Sequence, residues 1–543
     1  MTLKFYKHII LSSLLACISV FCNTPLAGQE TTTTETLPEG LRINSITVEP
    51  AAIEFNTGRD YRQLLVTGQL KSGQIADLTR MLSIKETPQH VQISADGIVA
   101  PISIGQETVT LQFGEFSVTL AINVKSLDMP TSSFVQDVQP ILAKMSCNAG
   151  TCHGSKDGKN GFKLSLRGYD PLYDHRALTD DIGARRFNRA APDQSLLLLK
   201  AVGAIPHVGG VRTTIDSRYY GIIRDWITQG GQLDLENPKA SSIEIFPKNP
   251  IIPRAGMKQQ ISVLATFPDG SVRDVTREAF IESGNIEVID ADQRGVLTLI
   301  RRGEGPVLVR YEGNYAATTL TVMGDRTGFQ WEKPITQNYI DDFVYDKLER
   351  VKILPAEICS DEDFVRRVYI DITGLPPTVA QVRQFLESEQ PSKQRRDELI
   401  DQLVGSKEYI EHWTNRWADL LQVNRKFLGE EGAVALRNWI KHSVATNKPY
   451  NQFAHEILTA NGSTIENPPA AYYKIIRDPA TLMENTTHLF LAVRFNCNKC
   501  HDPPFERWTQ DQYYSLAAFF SQIGRKEDAR FLGKKIGGSA VEG

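Results

Sequence analysis

This 543-residue chain is short of cysteine and methionine, with seven of each. It also lacks a basic excess, since its formal net charge is −4 at pH 7. Nucleic-acid binders usually present a basic face, so that class is set aside. Beyond the N-terminus, no segment reaches the ~18 apolar residues expected of a membrane-spanning helix. There is no nucleophile elbow, phosphate-binding loop or zinc-protease helix. No pair of carboxylates is placed to argue for glycoside hydrolysis. These gaps tip the balance against an enzyme without closing that question. What remains is ordinary globular composition, 41% hydrophobic and 23% charged, with length for three to five domains.

The N-terminus reads as a secretory leader. Lys4 and Lys7 form a basic start, and Ile9 to Phe21 is an apolar run of thirteen residues, too short to span a membrane comfortably. Cleavage near Ala27 or Gly28 makes 1–28 a signal peptide. Leu14-Leu15-Ala16-Cys17 also has the form of a lipoprotein box, so lipidation at Cys17 stays open. The expected location is the periplasm, the cell surface or the medium. Residues 29–40 are polar and Thr-rich and read as a disordered linker.

Five cysteines follow the leader: Cys147, Cys152, Cys359, Cys497 and Cys500. Four of them fall in two short runs. One is Cys147-Asn148-Ala149-Gly150-Thr151-Cys152-His153 and the other is Cys497-Asn498-Lys499-Cys500-His501. Two cysteines followed at once by histidine form the attachment signature of a c-type haem, in which the thiols anchor the ring and the imidazole binds the iron. The second run has the standard two-residue gap, and the first has a rarer four-residue gap.

On this reading Cys147, Cys152, Cys497 and Cys500 are thioether anchors, and His153 and His501 are proximal ligands. His207 lies in a Pro-flanked loop before the closing helix of its region, where small cytochromes carry their distal ligand. It is therefore the expected sixth ligand of the first site, with His175 as the alternative. For the second site Met483, His488, His412, His442 and His455 are all open. Two other readings of the first run remain. One is a Cys147–Cys152 disulfide, and the other is a Cys2His2 zinc site from Cys147, Cys152, His153 and His207.

Residues 41–125 and 241–323 share a pattern of short alternating apolar runs separated by turns, as in a β-sandwich. Ser72-Gly73-Gln74-Ile75-Ala76-Asp77-Leu78-Thr79 matches Asp269-Gly270-Ser271-Val272-Arg273-Asp274-Val275-Thr276. The Asp-x-Thr triplets are expected to form turns. Between the repeats, 130–235 reads as a compact helical region that closes with Tyr219 to Trp226. The last region, 335–543, reads as mostly α with long Gly/Pro loops.

The two repeats resemble the bacterial immunoglobulin-like domains of group 2. The last region resembles the planctomycete cytochrome-c-like domain family of unknown function, through Arg366-Arg367-Val368-Tyr369-Ile370-Asp371-Ile372-Thr373-Gly374-Leu375-Pro376-Pro377-Thr378 and Asn496 to Tyr514. Residues 130–235 resemble the smaller planctomycete cytochrome c domain. The resemblance implies a multidomain α+β protein, with two Ig-like β-sandwiches alternating with a small cytochrome-c-like α domain and a larger mostly α C-terminal domain. It also implies an exported protein with two haem c groups and an unidentified redox partner protein, with polysaccharide as a further partner. Members usually continue into another C-terminal domain, so a chain ending at Gly543 reads as a short member or a fragment. The expected function is electron transfer or redox support. The rival is a non-catalytic adhesion or glycan-binding protein whose cysteine pairs are disulfides or metal clips.

Overall fold

The computed structural model describes residues 35–499, 508–528 and 533–538. The leader and most of the Thr-rich linker, with Cys17, lie outside these residues, as do Cys500 and His501. The end of the linker is tied down, since Arg80 pairs with Glu35 at 2.7 Å and Leu37 packs on the adjoining core. The protein is multidomain, with both sheets and helices. Among the described residues no helix is long and apolar enough to cross a membrane.

Strands occupy 43–124 and 242–322, ten in each, and the two sets have the same strand order. In the first repeat, Ile43–Glu49, Leu65–Leu70 and Ile75–Asp77 form one antiparallel sheet. The hairpin Gly105–Phe113 with Phe116–Val124 carries the second, flanked by Ala52–Phe55 in parallel and by Ser83–Ile84. Strand alternation explains the packing: Val109 is paired with Leu120 on the neighbouring strand, and these two with Leu111 and Ile122, each two residues along, are all buried. Gly97 and Gly295 occupy equivalent turns with φ of 82° and 87°, a region that L side chains rarely adopt.

The apolar residues of the two repeats form one continuous cluster from Val48 to Val322. The Asp-x-Thr triplets do form turns, with Asp77 and Asp274 accepting the N–H of Thr79 and Thr276 at 2.9 and 3.0 Å. They do something further that sequence did not reveal. The other oxygen of Asp77 accepts the N–H of Gln260, and that of Asp274 accepts the N–H of Gln63, each at 2.7 Å. Each repeat thus satisfies a buried backbone donor of its neighbour.

The middle region packs on both repeats. Its helices Gln139–Lys144, Pro171–Thr179, Leu196–Ala201 and Arg218–Thr228 surround Trp226, which touches Phe134, Phe187 and His175 with ring centroids 5.2, 5.3 and 5.9 Å away. Ser217 caps the last helix by accepting the Tyr220 N–H. Asp137 of this region holds Arg59 of the first repeat at 3.3 Å and Arg273 of the second at 2.7 Å.

The C-terminal region is mostly helical, as expected. Its helices Lys407–Leu420, Arg425–Ala445 and Tyr450–Leu458 close over one core, and Asp361–Thr373 with Ser392–Leu403 makes another. Pro479–Leu491 and Gln510–Ser521 enclose a third, around Met483, Phe495 and Tyr513. A three-stranded sheet of Gly462–Ser463, Ile523–Asp528 and Gly533–Gly538 was not anticipated.

Candidate functional site

The first cysteine run forms a closed turn between the helix Gln139–Lys144 and the segment leading to Leu164. Ser146 adopts a positive φ of 63°, which turns the chain out of the helix. The His153 N–H then donates back to the Cys147 carbonyl at 3.0 Å, and Gly154 donates to Ala149 at 3.1 Å. The two residues beyond the usual spacing are absorbed inside this loop, so both cysteines and His153 stay on one short turn. Asn148 is buried inside it. Cys147 and Cys152 are both free thiols. Burial pushes the Cys147 thiol up to about 12, so it is protonated at neutral pH.

His153 is held on two sides. Its Nδ1 donates to the Phe162 carbonyl at 3.0 Å, and its ring lies 4.4 Å from that of Phe162. Arg186 sits over the Phe162 ring at 4.2 Å, fixed by the Ala177 and Gly161 carbonyls. His207 has the same anchor, since its Nδ1 donates to the Gly210 carbonyl at 3.0 Å. Because a carbonyl can only accept, each Nδ1 carries the proton. In the neutral ring the lone pair is then on Nε2, and among the described residues neither Nε2 has a hydrogen-bond partner. Burial lowers the His153 pKa against the opposing pull of the Phe162 carbonyl, and nearby His207, Arg186 and Lys159 lower it further, which favours the neutral, ligating form.

The two imidazoles, far apart in sequence, come together. Their ring centroids are 6.3 Å apart and their planes differ by 6°. The His207 loop is anchored by Arg212 and Thr213 donating to the Ala201 carbonyl, and it leaves Val208, Val211 and Ile215 exposed. The alternative ligand His175 is engaged elsewhere. Its Nε2 is bonded to the Gly231 carbonyl at 2.8 Å and its ring packs on Phe134.

At the second run, Cys497 is exposed in the short turn Asn496–Lys499, while Cys500 and His501 lie outside the described residues. The base of the loop is tied on both sides. Asn498 donates to the Trp508 carbonyl, and Gln510 and Tyr514 both donate to the Lys499 carbonyl. Glu484 accepts from Asn496 at 3.0 Å and from Tyr513 at 2.6 Å. Of the five candidate ligands, Met483 shares the apolar cluster of Phe495 and Trp508, whereas His442, His455 and His488 are exposed and His412 packs on Gly374. In both runs the asparagine after the first cysteine, Asn148 or Asn498, is buried. Sequence reasoning singled out neither, and the signal available was the shared Cys-Asn pair.

Residues 339–525 match the PSCyt2 family model, described as a protein of unknown function (DUF1549). No curated protein matches the chain. Among solved structures, the chain aligns with domains 5–6 of the S-layer protein SbsC at 11% identity, covering 52% of this chain and 99% of that one with a TM-score of 0.21. It aligns with domains 1–6 of the same protein at 9% identity, covering 50% of this chain and 24% of that one with a TM-score of 0.15. At these scores the alignments do not define a shared fold.

Proposed function

We propose that this is an exported c-type haem protein that transfers electrons, with one haem between His153 and His207 and a second at the Cys497–His501 run. The carrying observation is the pair of parallel imidazoles 6.3 Å apart, each with Nδ1 bonded to a carbonyl. His153 and His207 would hold the haem iron through Nε2, the ring nitrogen that each leaves unprotonated when neutral. Cys147 and Cys152 would hold the ring through thioether bonds, and the exposed Val208, Val211 and Ile215 would give it apolar cover. The chemistry supplied there is one-electron exchange, at a potential lowered by imidazole in place of thioether. The chain's own part is to hold each Nδ1 on a carbonyl with the two ring planes aligned.

A zinc site fits less well. Among the described residues no group of three or more His, Cys, Asp or Glu side chains is placed to hold a metal ion. A porphyrin supplies four donors of its own, so two protein ligands suffice. In this reading the repeats are Ig-like sandwiches and 130–235 is the cytochrome-c-like domain. The periplasm or cell surface is the proposed location, with a redox protein as partner.

The test is an absorption spectrum of the mature chain made with haem-maturation machinery. A c-type pyridine haemochrome retained on denaturing gels is expected. His207→Ala should convert the first haem from low-spin to high-spin, while His175→Ala should leave it low-spin. Colourless protein with both cysteine pairs oxidised would sink the proposal.

A further inference from the structure

The Phe162 carbonyl that takes the His153 Nδ1–H at 3.0 Å also takes the Lys159 N–H at 2.8 Å, because residues 159–162 form a tight turn with Gly161 at a positive φ of 71°. Lys159, Asn160 and Gly161 are all exposed. A surface turn of this kind is free to rock unless something behind it is fixed, and His153 would move with it.

Arg186 stands behind it. The residue is 8% exposed. Its Nη1 donates to the Ala177 carbonyl at 3.0 Å and its Nη2 to the Gly161 carbonyl at 3.1 Å, while the guanidinium lies over the Phe162 ring at 4.2 Å. Ala177 is in the last turn of Pro171–Thr179, where carbonyls lack a helical partner and a cation suits the helix end. The arginine's backbone is anchored too. Its carbonyl accepts the Leu197 N–H at 3.2 Å, and Phe187 beside it packs on Trp226 at 5.3 Å. A line of contacts thus runs from the core of the middle region through Arg186 and Phe162 to His153.

Ion pairing does not explain this placement. Burial lowers the Arg186 pKa and Arg185 acts in the same direction, while Asp181 opposes them without forming an ion pair. What the guanidinium does make is a planar fork between a helix end and a turn, a geometry that lysine cannot reproduce. The consequence falls on the imidazole. A hydrogen bond from Nδ1 leaves a ring free to swing about that bond, and the Phe162 ring, 4.4 Å from that of His153, removes the swing. We infer that Arg186 is a positioning residue for the proximal imidazole, fixing the plane of His153 by clamping the turn whose carbonyl and aromatic ring hold it. This role presupposes the haem reading, in which His153 and His207 are the axial ligands.

Electron paramagnetic resonance of the oxidised, full mature chain tests it. Low-spin iron between parallel imidazoles gives a rhombic signal, and twisting one ring against the other moves it toward an axial, large-g form. The two rings here differ by 6°, so the first haem, assigned by loss of its signal in His207→Ala, should be rhombic. Arg186→Met should move that signal toward the large-g form and leave the second haem's signal in place. Arg186→Lys keeps the charge, loses the fork and should move it the same way. Phe162→Leu, which spares the carbonyl and removes the ring, should do so too, and adding Arg186→Met to it should produce little further shift. Arg189 lies over the Phe187 ring at 5.4 Å, and Arg189→Met should leave the signal where it is. Should Arg186→Met fail to fold, Arg186→Lys and Phe162→Leu carry the test. A colourless native chain would overturn the haem reading and this role with it. A native haem signal that Arg186→Lys and Phe162→Leu leave unmoved, or one already of the large-g form, would overturn the role of Arg186 alone.

Discussion

Lys144 ends the helix that delivers Cys147, and its ammonium is turned inward, donating to the Ala279 carbonyl of the second repeat. Burial pushes its pKa down to about 7, with Arg277 acting in the same direction and Glu278 and Asp292 opposing. An unfolded lysine titrates near 10.4. Between these values the unfolded chain holds a proton that the native chain does not, so stability rises with pH across that window. The contribution is complete above the unfolded value and lost as pH falls through about 7. Lys144→Met should flatten the slope of unfolding free energy against pH between 7 and 10, measured by denaturant titration. An unaltered slope would mean that the ammonium reaches water.

The same scale shows what sequence can and cannot carry. His207 could be singled out because a Pro-flanked loop before a closing helix is a local pattern, whereas its approach to His153 and the bond of His175 to Gly231 depend on how distant segments pack.

At the scale of elements, the turn Cys147–His153 depends on close backbone contact. A Cβ at Gly154 would run into the Asn148 carbonyl oxygen, whereas one at Gly150 would meet only Leu166 Cδ1 at 3.5 Å. Gly154→Ala should therefore destabilise the protein by about 1–3 kcal/mol, seen as a lower unfolding midpoint, with Gly150→Ala near neutral. Equal effects would show that the loop adjusts freely. Long helices were read well because apolar periodicity is a strong local signal. The apolar spacing over 434–446 and 482–490 marks helix, and the structure has Arg425–Ala445, with a break at Gly429, and Pro479–Leu491 there, both beginning earlier. Gln510–Ser521 was missed beside the second cysteine run, although Thr509 and Gln512 form a capping box there. Short strands such as Gly462–Ser463 carry too few residues for any periodicity, and their pairing is set by distant segments.

At the scale of the whole molecule, the repeats were readable as repeats and their joining was not. Turn glycines and strand runs recur in register, but a carboxylate that accepts from another domain looks the same as one that only closes its own turn. Asp77 and Asp274 are 2% and 1% exposed, so removing either leaves a buried N–H without its acceptor. Asp77→Ala and Asp274→Ala should each cost about 1–3 kcal/mol. Because both act on one interface, the double variant should lose less than the two losses together, by about 0.5 kcal/mol or more. Full additivity in denaturant unfolding would show that the two contacts act independently.

The crossed contacts at Asp77 and Asp274 also bear on inheritance. A segment that completes itself can be duplicated, shuffled or discarded with little consequence for its neighbour. Here each copy takes an acceptor from the other, and because the donors are main-chain N–H groups of Gln260 and Gln63, no side-chain change in one copy can make good the loss of the aspartate in its neighbour. The two aspartates are therefore held fixed rather than free to drift, and recombination that separates the copies would leave each half with an unmet main-chain donor.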